Sequence, residues 1–195
     1  NTKWARGIMP VDIVPDAVNE IIPHQVRSHW EELRPMLKQY GIRNASLMAL
    51  MPAETSAKIS GRGTTNGVEP VRGLIVSKGG KSSKGKFVVP EFEKLKDNYD
   101  LVWEWEGCSQ LIKTYAILQK YVDQAISGNT YYNKNNFPDE KIPLKLVAST
   151  IVDAYKYGLK TLYYNNNDDS VKEFNVSNEV SAVLDDDASC EACTL

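Results

Sequence analysis

Long apolar runs are missing from this 195-residue sequence: no stretch of 18 or more apolar residues occurs, so no membrane-spanning helix is expected. A basic segment followed by an apolar run and a small-residue cleavage site is also missing, which argues against secretion and predicts a cytoplasmic protein. Cysteine is scarce. Cys108, Cys190 and Cys193 are too few and too unevenly placed for a disulfide framework, and read as reduced thiols with a task. Histidine is scarcer still, with only His24 and His29, so no metal site is expected. No Lys/Arg cluster interleaves with aromatics, which weakens a nucleic-acid reading. There is no initiator Met either. The chain opens at Asn1 directly into Trp4, Ile8 and Met9, which points to a fragment.

What remains is ordinary globular material, 42% hydrophobic and 25% charged. The net charge of −2 conceals an asymmetry. Beyond Tyr164 lie eight acids (Asp168, Asp169, Glu173, Glu179, Asp185, Asp186, Asp187, Glu191) against Lys172 alone, a tail of −7 on a body of +5. An acidic tail on a domain that handles anions fits this pattern. Two regions follow: a globular body over 1–164, and a flexible tail over 165–195 that is too polar to bury itself.

Along the body, Pro15 opens a short helix that stops before Pro23. Ser28 and Glu31 fit a capping box for a second helix, marked by Trp30, Leu33, Leu37 and Tyr40, kinked at Pro35 and ended by Gly41. The continuous apolar run 45–51, ASLMALM, predicts a strand buried on both faces. VRGLIVSK and KFVV flank a GGKSSKG turn as a hairpin. Phe92, Leu95, Tyr99 and Val102 predict one helix. Another begins at Ser109, with Leu111, Ile112, Tyr115, Leu118, Val122 and Ile126 on one face and Gly128 at its end. NTYYNKNNFPDEK reads as a polar loop. Pro143 opens a last helix (Leu144, Val147, Ile151, Tyr155) closed by Gly158, and LKTLYY is a short strand.

Several segments suggest chemistry. Gly80-KSSK-Gly85-Lys86 imitates a phosphate-binding loop but has Phe87 where Ser or Thr would hold magnesium, and it lies between two strands, so a hairpin turn is the better reading. Gly61-Arg62-Gly63 lacks the third glycine of a dinucleotide fingerprint. Pro52-Ala53-Glu54-Thr55-Ser56 turns from a strand into a helix start. The free N–H groups and macrodipole there suit a phosphate, with an ordinary ligand-free N-cap as the alternative. Cys190 and Cys193 form a C-x-x-C pair able to close a disulfide or attack another, or are inert tail thiols. Cys108 reads as a small buried or capping residue. Tyr163 and Tyr164 are either plain packing or successive redox stations, and stacking them requires the strand to end or bend.

In this order, NASLMALMPAETS, TTNGVEP, VVPEFEKLKDNYDLVWE, LQKYVDQAISGNTYY, FPDEKIPLKLV, AYKYGLKTLYY and the terminal CEAC resemble the C-terminal part of the large (alpha) subunit of class I ribonucleoside-diphosphate reductase, of the enterobacterial and phage type. The resemblance implies an α/β fold, the C-terminal part of a ten-stranded α/β barrel with a β-hairpin insertion. It implies reduction of ribonucleotides to deoxyribonucleotides for DNA synthesis. By resemblance Pro52, Ala53, Glu54, Thr55 and Ser56 hold the substrate diphosphate. Tyr164 and Tyr163 pass a radical, with Tyr164 nearer the small subunit. Cys190 and Cys193 shuttle reducing equivalents from thioredoxin or glutaredoxin. No cofactor is expected in this chain itself. The resemblance puts a diferric-tyrosyl radical in the small subunit, and the ATP and dNTP effector sites and the radical cysteine in parts of the large subunit upstream of Asn1. The remaining partners it implies are the rest of the large subunit and its homodimer, with no membrane. The reading from another class is a non-catalytic thiol-exchange or interaction module with a C-x-x-C tail.

Overall fold

The computed structural model describes residues 2–23, 30–60, 64–80 and 83–168. These divide into two compact units, one of Asn1–Met51 with Glu106–Asn166, the other centred on Pro52–Trp105. Helices and strands mix in an α/β arrangement, and the described residues close no barrel. Among them no helix is long and apolar enough to cross a membrane.

In the first unit, α1 (Asp16–Ile21) follows Pro15, as its sequence predicts. Helix α2 (Trp30–Tyr40) passes through Pro35 without a break and ends at Gly41, whose φ of 72° is a left-handed conformation that glycine adopts without a Cβ penalty. Ser28, the expected cap, lies outside the described residues. Of the apolar residues of α2 only Leu37 is fully buried, in a cluster with Trp4 and Met9. Arg34 ties α2 to the turn at Pro10–Ile13 by donating to Asp12 at 2.6 Å, and pairs within the helix with Glu31 at 2.7 Å.

The central helix is α5 (Ser109–Gln119), whose Leu111, Ile112, Tyr115 and Ala116 are buried. It ends nine residues before the predicted stop at Gly128, so Val122 and Ile126 are not helical. Side chains draw the backbone away: Gln119 Nε2 donates to the carbonyls of Val122 and Gln124, both at 2.8 Å, and Lys120 Nζ to that of Ile22. The chain then runs beside 48–50, with Leu50 and Ile126 forming a parallel bridge. ASLMALM is thus extended, but it is not the doubly buried strand predicted; Leu47, Met48 and Met51 are all exposed. A strand is buried on both faces only when layers cover both and neighbours flank both edges. Here the described residues supply one neighbour.

The segment predicted as a polar loop contributes a fully buried strand, β3 (Gly128–Tyr132). Thr130, Tyr131 and Tyr132 are good strand formers. The polar atoms of Asn129 and Thr130 find partners on β4 (Leu162–Asn167), with which β3 pairs. Helix α6 (Leu144–Lys156) starts after Pro143 and is followed by Gly158 at φ 74°, as expected. The buried side is another matter. Thr150 and Ala154 are buried, while Leu144, Ile151 and Tyr155 of the predicted core face are exposed. Periodicity identifies an apolar stripe but not what covers it.

In the second unit, α3 (Glu54–Ile59) precedes the antiparallel hairpin of β1 (Ile75–Gly80) and β2 (Ser83–Val88), registered from Ile75 opposite Val88 to Gly80 opposite Ser83. The single helix expected from Phe92 to Val102 is broken into α4 (Phe92–Leu95) and turns at Lys96–Asn98 and Val102–Glu104. Tertiary bonds compete with the helix: Tyr99 Oη donates to the Pro90 carbonyl at 2.7 Å, and Val102 N to that of Val71 at 2.9 Å. Ile75, Val89 and Phe92 form this unit's core.

Candidate functional site

Strand β4 carries Tyr163 and Tyr164 in the first unit. Their ring centroids are 4.0 Å apart with the planes at 47°, and Tyr163 Oη donates to Tyr164 Oη at 3.2 Å. The strand does not end at the pair but continues to Asn167. Adjacent strand residues start toward opposite faces, yet on β4, which is paired only with β3 among the described residues, the two rings meet. The two residues are 54% and 59% exposed. Sharing its proton with Tyr164 pushes the Tyr163 phenol above its usual pKa. The Tyr163 phenol therefore keeps its proton at neutral pH, and one hydrogen bond links the pair. Oxidising a phenol is favourable only with loss of its proton, so the contact suits coupled movement of a proton and an electron between two like groups.

A cavity of about 180 Å³ lies beside the pair, with Thr130, Tyr132, Thr150 and Ile151 among its walls. Behind it Cys108 is fully buried, bonded by Sγ to the Tyr131 carbonyl at 3.1 Å and accepting from Tyr131 N at 3.2 Å. Burial pushes the Cys108 thiol up, and burial likewise raises the Tyr132 phenol. A thiol held protonated inside a strand junction is structural, as its sequence context suggests.

Pro52, Ala53, Glu54, Thr55 and Ser56 turn into α3 in the second unit. Ala53 is the N-cap and no side chain caps the start; the Glu54 amide turns back to the Pro52 carbonyl at 3.0 Å. Glu54, Thr55 and Ser56 are exposed, so their polar groups face solvent. Asn66, buried in the TTNGVEP segment, reaches Glu54 Oε1 at 3.5 Å. The segment before this loop is largely exposed, contrary to expectation, but it is extended and leads into a helix start. Gly80 and Gly85 lie on the paired strands β1 and β2, so no helix start gathers phosphate-binding N–H groups there. Gly61-Arg62-Gly63, His24, His29, Cys190 and Cys193 lie outside the described residues.

Two groups escaped the sequence reading. Asn129, 3% exposed, accepts from Tyr164 N through Oδ1 at 2.9 Å. Asp123 accepts from Trp4 Nε1 at 2.8 Å and from the amides of Leu47 and Met48 at 2.7 Å each. Both sat in segments assigned to the wrong element. The consecutive β-forming residues Thr130, Tyr131 and Tyr132 after Gly128 were the available signal for the first.

The family model for the ribonucleotide reductase barrel domain matches residues 1–165. The alpha subunit of ribonucleoside-diphosphate reductase from Haemophilus influenzae is 41% identical over 194 residues, covering 100% of this chain and 25% of that protein. A namesake from Buchnera aphidicola is 44% identical over 173 residues, covering 89% of this chain and 22% of its own length. The Escherichia coli subunit, ribonucleoside-diphosphate reductase 1 alpha, is 39% identical over 194 residues, again covering 100% of this chain and 25% of that protein. The chain spans about a quarter of the length of these curated relatives.

Proposed function

The chain belongs to the ribonucleotide reductase barrel-domain family, and from that premise we propose that it works as the C-terminal portion of the alpha subunit of a ribonucleoside-diphosphate reductase. In this reading the whole subunit reduces ribonucleoside diphosphates to deoxyribonucleotides, and this portion supplies a radical-transfer pair, a diphosphate loop and a thiol shuttle. The observation that carries the reading is the 3.2 Å phenol contact on an edge strand.

Radical transfer through the pair balances simply. An oxidised Tyr164 takes the hydrogen atom of the Tyr163 phenol, one proton and one electron, leaving Tyr164 as a phenol and Tyr163 as the radical. The oxidant would be supplied by a small partner subunit, whose diferric site would provide the radical chemistry. Pro52, Ala53, Glu54, Thr55 and Ser56 would meet the substrate diphosphate at the start of α3, where amides and hydroxyls are donors. Cys190 and Cys193 would pass reducing equivalents from thioredoxin or glutaredoxin. The ATP and dNTP effector sites belong to the rest of the subunit, which also provides the homodimer.

Tyr163→Phe and Tyr164→Phe test the reading in the full-length subunit with its small partner. Each should abolish turnover while leaving binding of the small subunit intact. Turnover surviving in either variant would overturn the radical-transfer role.

A further inference from the structure

We propose that Asn129 is a positioning residue for the tyrosine pair, its side-chain carbonyl fixing the Tyr164 backbone so that the two phenols stay in contact. This rests on the radical-transfer reading of Tyr163 and Tyr164. The Tyr164 amide donates to Asn129 Oδ1 at 2.9 Å. An acceptor on a side chain, unlike a main-chain carbonyl, can be removed or kept by substitution, which makes this bond a property of the side chain at residue 129.

Asn129 is itself held firmly. Its own main-chain carbonyl accepts from the Tyr115 hydroxyl at 3.2 Å, and Tyr115 is fully buried in α5. The Tyr115 ring lies so close to Gly128 that a Cβ there would meet it at 2.9 Å. The Tyr115 side chain thus packs close against one residue and bonds the next. Two residues beyond Tyr164, Asn166 Nδ2 donates to the Thr130 carbonyl at 3.2 Å, so side-chain amides tie β4 to β3 on both sides of Asn165.

The need for such an anchor follows from exposure. Both tyrosines are more than half exposed, so packing among the described residues does little to restrain them. Hydrogen-atom transfer between oxygens is steeply sensitive to their separation, and small displacements of a reacting group are expensive. A backbone fixed at Tyr164 limits where both adjacent rings can go.

The test uses the full-length subunit with its small partner, and fluorotyrosine at position 163 as a probe. Asn129→Leu removes the acceptor. It should lower kcat about tenfold or more with KM unchanged, and shift the fluorine NMR titration of position 163 toward that of an unpaired phenol. Asn129→Asp keeps an acceptor oxygen in place and should restore both readouts to within about threefold of the parent. If Asn129→Leu does not fold, Asn129→Ser, whose oxygen is one bond too short to reach the Tyr164 amide, supplies the same arm. An unchanged titration and kcat in the variant lacking the acceptor, or failure of Asn129→Asp to restore them in a folded protein, would overturn the proposal. The titration does not depend on turnover. If Tyr163→Phe remains active, the radical-transfer reading fails while the titration still decides what Asn129 does to the pair.

Discussion

Asp123 holds together three pieces of the first unit that are remote in sequence, and its removal has a calculable cost. Its carboxylate takes Trp4 Nε1 from the N-terminal turn and the amides of Leu47 and Met48 from the extended segment. Bonds to a charged acceptor contribute about 1.5–3 kcal/mol each, less where water can replace the partner. Trp4 is buried and has no such replacement, whereas Leu47 and Met48 are exposed and recover part of theirs. Asp123→Ala should therefore cost about 3 kcal/mol locally, roughly two orders of magnitude in the opening equilibrium. Hydrogen exchange of the peptide spanning 45–51 reads that opening directly. Asp123→Asn keeps one acceptor oxygen but turns an amide donor toward an N–H, and should fall between. The pH dependence has a definite sign. Burial alone would raise the carboxyl, but the bonds from Met48, Trp4 and Leu47 outweigh it and hold its pKa below the usual value. Protection is complete above the unfolded value of about 3.9 and is lost as pH falls through the lower native one. Exchange in Asp123→Ala that matched the parent protein would refute the account.

Gly128→Ala forces a methyl to within 2.9 Å of the buried Tyr115 ring and should cost about 1–3 kcal/mol in thermal or urea unfolding. Gly158→Ala adds a left-handed backbone penalty at φ 74° to a 2.7 Å approach to Pro15, so it should cost about 2 kcal/mol or more, read as a lowered Tm. Cys108, whose thiol burial keeps protonated, should resist iodoacetamide at neutral pH until the protein unfolds; fast labelling of the native state would contradict its placement. Cys190→Ser should spare a single dithiothreitol-driven turnover and block the thioredoxin-driven cycle, which separates the shuttle role from the chemistry it would serve.

Elements marked by stereochemistry were legible in the sequence. Pro15 and Pro143 start helices, Gly41 and Gly158 end them with positive φ, and the glycines of 79–85 lie between two strand-forming runs that pair as a hairpin. Elements decided by partners were not. The α5 pattern looked continuous to Gly128, but Gln119 and Lys120 bond carbonyls outside the helix and end it early. The GNTYY strand was hidden because its polar residues resemble a loop until their partners on β4 are known.

The same division holds for the candidate site. The adjacent tyrosines, the loop at Pro52–Ser56 and the ordered motifs of the reductase family are local strings, so the sequence alone identified them and the family. Whether the two phenols meet, and what holds them there, depends on Asn129, 35 residues away across a strand pair. Composition cannot reveal that contact, because a buried asparagine is intelligible only once its acceptor faces a specific amide. Tertiary structure likewise decided which apolar stripes are covered: ASLMALM and the outer side of α6 are hydrophobic by sequence but exposed among the described residues. Hydrophobicity sets what should be buried, and only neighbouring chain segments determine whether it is.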